Sequence, residues 1–199
     1  MNMGVGDWTA QDAVVTLLER AGQDFRTDPH LRETPKRFVE AWDFWTEGYH
    51  LDDVATVLKT FEFAGNDPGL VFQANIPVWS LCCHHLAPFW GLAHVGYLPK
   101  KGVVGLSKLA RVVDIFARRL QVQEQLGSQI ADALFTNLDC HGVGVVLQCR
   151  HACLESRGVQ KAGTITITSS LRGFMKDEPE TRSEFMSLIQ VAIQGAKGV

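Results

Sequence analysis

Apolar positions over the first fifty residues recur at helical spacing. Val14, Leu17 and Leu18 share a face after Thr9, a residue suited to capping a helix, and Gly22 suits its end. Thr34-Pro35 begins a second helix, with the proline in the first turn where its missing N–H costs nothing. Phe38, Trp42 and Trp45 lie on one side of that helix until Gly48 and read as packing residues. From about Val71 the pattern becomes extended, and "FWGLAHVGYLP" reads as one strand closed by Pro99. Helical spacing returns with Leu109, Val112, Val113 and Phe116, then Leu126, Ile130, Ala133 and Leu134. The stripe is interrupted from Gln121 to Gln125, which predicts two helices joined there. "GVGVVLQCRHACL" and "GTITITSSL" are alternating β-branched runs, and Thr181 with Glu184 predicts a capping box for a last helix through Phe185, Leu188 and Ile189.

The order is helices, strand pair, helix pair, strand pair, helix: an α+β chain with an N-terminal helical region (1–60) and an antiparallel β-β-α-α-β-β unit with a C-terminal helix (61–199). At 199 residues it is long enough for a real core, and 46% hydrophobic with 21% charged residues is ordinary globular usage. A formal net charge of -3 gives no reason to expect nucleic acid or anionic membrane as a partner, so an anionic ligand needs a local basic cluster. No apolar run approaches the roughly 20 residues that span a bilayer, and "MNMGVGDWTAQD" lacks the features of a secretory signal; a cytoplasmic protein is expected. Five cysteines, two of them adjacent, make a poor disulfide framework and better metal ligands in a reducing compartment.

"LCCHHLAPF" sets four ligand-type residues, Cys82 to His85, in a row. Neighbours on an extended chain diverge, so they supply only part of a site, whereas Cys82-x-x-His85 can close as a short chelating loop. In the strand "GVGVVLQCRHACL" the period of two puts Cys149, His151 and Cys153 on a common face. Cys82, His85 and Cys153 then suit a zinc site with one open position, leaving His84 and His151 for acid/base work. A closed Cys/His site that only holds the fold, or a buried metal-free cluster, remain open on the residues alone. In "GLSKLAR", Ser107 reads as a helix cap, yet Lys108 and Arg111 follow in a turn where the helix dipole disfavours cations. A bound phosphate chain would resolve that conflict, with Arg157, Lys161 and Arg37 as further contributors, although each alone also fits a solvated basic face. Gln123 and Glu124, at the helix break, could meet a base edge such as guanine or simply solvate the helix.

The motifs "CCHHLAPFWGLAHVGYLP", "GLSKLARVVDIFARRLQVQEQL", "GVGVVLQCRHACLESRGVQK" and "RSEFMSLI", in this order and spacing, resemble the GTP cyclohydrolase I family, and "ETPKRFVEAWDFWTEGY" resembles its Thr-Pro helix. The resemblance implies a tunnelling fold, toroidal homodecamers with sites between subunits, and zinc-dependent hydrolysis of GTP at C8 to formate and 7,8-dihydroneopterin triphosphate. It implies Cys82, His85 and Cys153 as zinc ligands, and His151 as the proton shuttle with His84 beside the metal. Ser107, Lys108, Arg111 and Arg157 match the triphosphate contacts, Gln123 and Glu124 the guanine contacts, and Arg37 a basic residue reaching a neighbouring subunit's site. Cys83 departs from the family pattern, which usually has Glu there; this bears on rate and metal preference rather than on the reaction. Rival readings are a tunnelling-fold relative acting on another purine or pterin, and a non-catalytic zinc-stabilised binding subunit.

Overall fold

The computed structural model describes residues 8–51, 53–63, 65 and 69–195. The chain divides into two compact units, one ending at Thr46 and the other running from Glu47. In the first unit, α1 (Ala10–Arg20) begins as expected at Thr9, whose hydroxyl accepts from the Asp12 amide while the Asp12 carboxylate accepts from the Thr9 amide. Gly22 follows its end with a φ of 74°, a conformation that costs glycine nothing. α2 (Thr34–Thr46) carries the aromatic face: Phe38 stacks on Trp42 and meets Trp45 edge-on, though Phe38 and Trp45 stay partly exposed.

The second unit is built on a five-stranded sheet in the order β5-β2-β3-β6-β7. Its long strands are β2 (Val71–Cys82), β3 (Pro88–Pro99), β6 (Cys140–His151) and β7 (Thr166–Gly173), all paired antiparallel. A small second sheet pairs β1 (Thr60–Glu62) with β4 (Gly102–Val104). Short helical pieces, α3 (Val54–Val57) and a 3-10 turn at Glu47–Tyr49, precede β1.

The helical stripe breaks between Arg118 and Val122, slightly earlier than the sequence suggests. α4 (Leu106–Ala117) ends, the chain forms β5 (Leu120–Gln121) parallel to the end of β2, and α5 (Gln123–Asn137) begins at once. Leu109, Val112, Val113, Leu126, Ile130 and Leu134 are buried with Val78, Val95, Val145 and Leu147 of the sheet in the main core. Val146 belongs to a second cluster with Met175 of α7 (Phe174–Asp177) and with Phe185 and Ile189 of α8 (Pro179–Gly195). Because β6 is covered on both faces along part of its length, it reads as a nearly continuous apolar run.

Two helix starts differ from expectation. α8 begins at Pro179, not after Thr181, since a proline at the first helical position wastes no N–H, and Thr181 lies inside the first turn. α4 is preceded by Gly105 with no side-chain cap, so Ser107 sits within the first turn rather than capping it.

Candidate metal and nucleotide site

The β2–β3 hairpin places the first ligands. β2 ends at Cys82, whose carbonyl accepts from the His85 and Leu86 amides, while its own amide donates to Ala87. Leu86 turns the chain with a φ of 52°, and β3 departs at Pro88 opposite Leu81. In that tight turn the ring Nδ1 atoms of His84 and His85 both stand 3.7 Å from the Cys82 sulfur.

The second group arrives differently from the sequence expectation. β6 stops at His151, and Cys153 lies on a short helix, α6 (Ala152–Glu155), rather than on the strand. The Arg150 guanidinium grips the Glu155 carboxylate through Nε at 2.8 Å and a second nitrogen at 2.5 Å, which clamps the turn between strand and helix. Cys149 points into the core, 1% exposed, and burial pushes its thiol up to about 12, so it is an inert apolar residue and no ligand.

The helical turn swings Cys153 to the hairpin, where donor atoms of Cys82, His85 and Cys153 all lie within 4.8 Å of one another. Donors around one tetrahedral zinc stand roughly 4 Å apart, so this set needs to close by about an ångström at most. Both cysteines are free thiols, and the Cys153 thiol is raised first by burial and then by the adjacent Cys82. A thiol whose ionisation is disfavoured by a neighbouring sulfur suits a site made for a cation, which would hold Cys153 as a thiolate. Cys83 is exposed and lies outside this group.

Beside the cluster, His151 pairs in register with Phe89, and the two rings stack at 4.8 Å with 11° between planes. Burial lowers the affinity of His151 for protons, partly offset by the charge of Glu124. β5 brings α5 to the same end of the sheet: the Gln121 carbonyl accepts from the Cys83 amide, and Gln123 and Glu124 form the first turn of α5. Glu124 is exposed, whereas Gln123 is buried with its side-chain oxygen 2.7 Å from His151 Nε2. Arg157 is close enough for its charge to be felt at Cys153.

The remaining candidates are carried by other elements. Ser107, Lys108 and Arg111 occupy the first turns of α4, and the other end of that helix leads into β5 beside Cys82. At 1.5 Å per residue, Ser107 and Lys108 stand roughly 14 Å along the helix from the end that leads to Cys82, with Arg111 midway. Arg37 is an exposed residue of α2 in the first unit, and Lys161 is exposed after α6. Sequence reasoning missed Phe89, which positions the His151 ring, and Thr166 and Thr168, which hold Gln123. Only strand register reveals them.

At one end of its sheet the α+β fold brings together a Cys-His-Cys group able to hold a metal ion and a half-buried histidine. The family model described as GTP cyclohydrolase I matches residues 10–190, and the chain belongs to that family. It is 49% identical to the GTP cyclohydrolase 1 of Campylobacter jejuni over 92% of this chain and 96% of the relative. It is 47% identical to that of Nitrosospira multiformis over 94% of both chains. Among solved structures, the archaeosine synthase QueF-Like in the apo form matches with a TM-score of 0.45 and 17% identity, over 53% of this chain and 95% of that one, too loosely to bear on the reaction.

Proposed function

We propose that the chain hydrolyses GTP at C8, opens the imidazole ring of the guanine, releases formate and closes the pterin ring of 7,8-dihydroneopterin triphosphate. What carries this reading is the meeting of Cys82, His85 and Cys153 with His151 and Glu124 at one end of the sheet, in a chain of this family. Cys82, His85 and Cys153 would hold a zinc ion, which when bound supplies the Lewis acidity that makes water a nucleophile near neutral pH. His151 gives a proton to the purine nitrogen as the ring opens; burial lowers its proton affinity, so a proton it holds is given up more readily. His84, beside the ligands, assists proton movement there. The exposed Glu124 carboxylate accepts from the guanine edge. Within this reading the catalytic domain is residues 61–199.

The triphosphate falls to Ser107, Lys108, Arg111 and Arg157. Among the described residues, the side chains of Ser107, Lys108 and Arg111 make no hydrogen bond or ion pair, so their donors are uncommitted. Since the first turn of α4 is at the end of the helix away from Cys82, these groups serve the cluster of another copy, and the active form is a homo-oligomer, a toroidal decamer, with Arg37 reaching a neighbour's site. No described helix is long and apolar enough to cross a membrane, and the free cysteines suit the reducing cytoplasm, where we place the reaction.

The test is incubation of zinc-loaded protein with GTP, following formate and the fluorescence of the oxidised pterin, beside His151→Ala. Both products from the intact protein and neither from the variant are expected. GTP binding without formate would sink the reading in favour of a binding subunit, and formate without pterin would point to a relative with an altered pocket.

A further inference from the structure

Gln123 and Glu124 are neighbours with opposite fates. Glu124 is exposed, while Gln123 is 2% exposed and bonded on every side. Its amide nitrogen donates to the Thr166 carbonyl at 3.0 Å, the Thr168 hydroxyl at 3.2 Å and the Leu147 carbonyl at 3.4 Å. Carbonyls only accept, so turning the amide over would set its oxygen against two other oxygens. The strands β6 and β7 therefore decide which way the amide points.

The oxygen thus faces His151 Nε2 at 2.7 Å, and because it can only accept, Nε2 must carry the hydrogen. Phe89 stacks on the ring and fixes its plane. Among the described residues, Nδ1 of His151 has no hydrogen-bond partner. One ring nitrogen is spoken for and the other is available.

We infer that Gln123 is a positioning residue and not a contact to guanine: it keeps the proton of neutral His151 on Nε2 and makes Nδ1 the atom that exchanges protons with substrate. The inference rests on the catalytic reading above. In each exchange Nδ1 takes a proton into its lone pair, the ring becomes a cation, and Nδ1 later returns that proton while Nε2–H stays on the Gln123 oxygen. An amide suits this cycle because it is neutral. It accepts from the ring in both states, whereas a carboxylate would hold the ring in its charged form. Of the two side chains, only that of Glu124 remains for the guanine edge.

Two measurements test this. The first is the 15N NMR of histidine-labelled, zinc-loaded protein without substrate, with His151→Asn used to assign the signal. The neutral ring should carry its hydrogen on Nε2, and a hydrogen on Nδ1 overturns the proposal. This result does not depend on turnover, so it stands apart from failure of the catalytic reading. The second is Gln123→Leu with zinc content and secondary structure checked. We expect kcat to fall about 10- to 100-fold with KM for GTP nearly unchanged and the His151 signal divided between tautomers. A raised KM with kcat and tautomer preserved would make Gln123 a guanine contact and overturn the assignment.

Discussion

Single residues decide whether the Cys-His-Cys group can form. Cys82 and His85 sit three apart in a turn whose backbone bonds close on Cys82, while Cys153 must arrive from a separate helix. Replacing Cys153 by Ser exchanges a soft sulfur for a hydroxyl that ionises far less readily, at a position that adds nothing to the core beyond partial packing. Cys153→Ser should therefore fold, by circular dichroism, yet retain well under a tenth of the zinc held by the parent in metal analysis after dialysis. Full zinc occupancy in the variant would show that Cys83 or His84 completes the set instead. The pairing of Cys82 with His85 was legible from spacing alone. The route of Cys153 was not, because alternation along an assumed strand would have put it on the face of the inert Cys149.

At the scale of elements, α8 is keyed to the sheet by one ring. Gly96 of β3 and Gly144 of β6 are register partners, and a Cβ at either would come within 3.0 Å of Phe185. The two glycines form a slot in which Phe185 is fully buried. Gly144→Ala should cost roughly 1–3 kcal/mol by overpacking, read as a lower midpoint in chemical denaturation; an unchanged midpoint would mean that α8 moves aside freely. The helix that carries Phe185 was evident in its spacing, but the cap at Thr181 was misread because Pro179 provides a start of its own. Likewise the interruption near Gln121 marked a break, while the parallel strand β5 within it depends on the distant end of β2.

The whole molecule raises two further expectations. If Lys108 of one copy serves the Cys153 cluster of another, Lys108→Ala and Cys153→Ser chains, each nearly inactive alone, should complement one another when co-assembled, with about a quarter of the sites intact for random mixing. No gain on mixing would mean that each chain completes its own site. Stability should also depend on pH through His94, which is fully buried in β3 with its ring stacked on Phe72 of the neighbouring β2, and whose burial lowers its proton affinity. The unfolded state binds a proton near the ordinary value of 6.5 while the folded state resists it, so stability is full above that value and is lost as pH falls below it. Tm should drop between pH 7.5 and 5 more steeply for the parent than for His94→Gln, and parallel curves would remove His94 from the account.

The sequence by itself determined the class of fold and the family, because hydrophobic period and short motifs are local properties written residue by residue. It also determined the donor types, since Cys82-x-x-His85 closes within one turn. Only the tertiary structure decided how Cys153 reaches that turn, which of two adjacent polar residues, Gln123 or Glu124, faces solvent, and which nitrogen of His151 carries its hydrogen. Those outcomes depend on strand register between β3, β6 and β7 and on where α5 starts beside β2. They are set by partners from 24 residues away along the chain, for Gln123 and Leu147, to 71 away, for Cys82 and Cys153, beyond the reach of any local pattern.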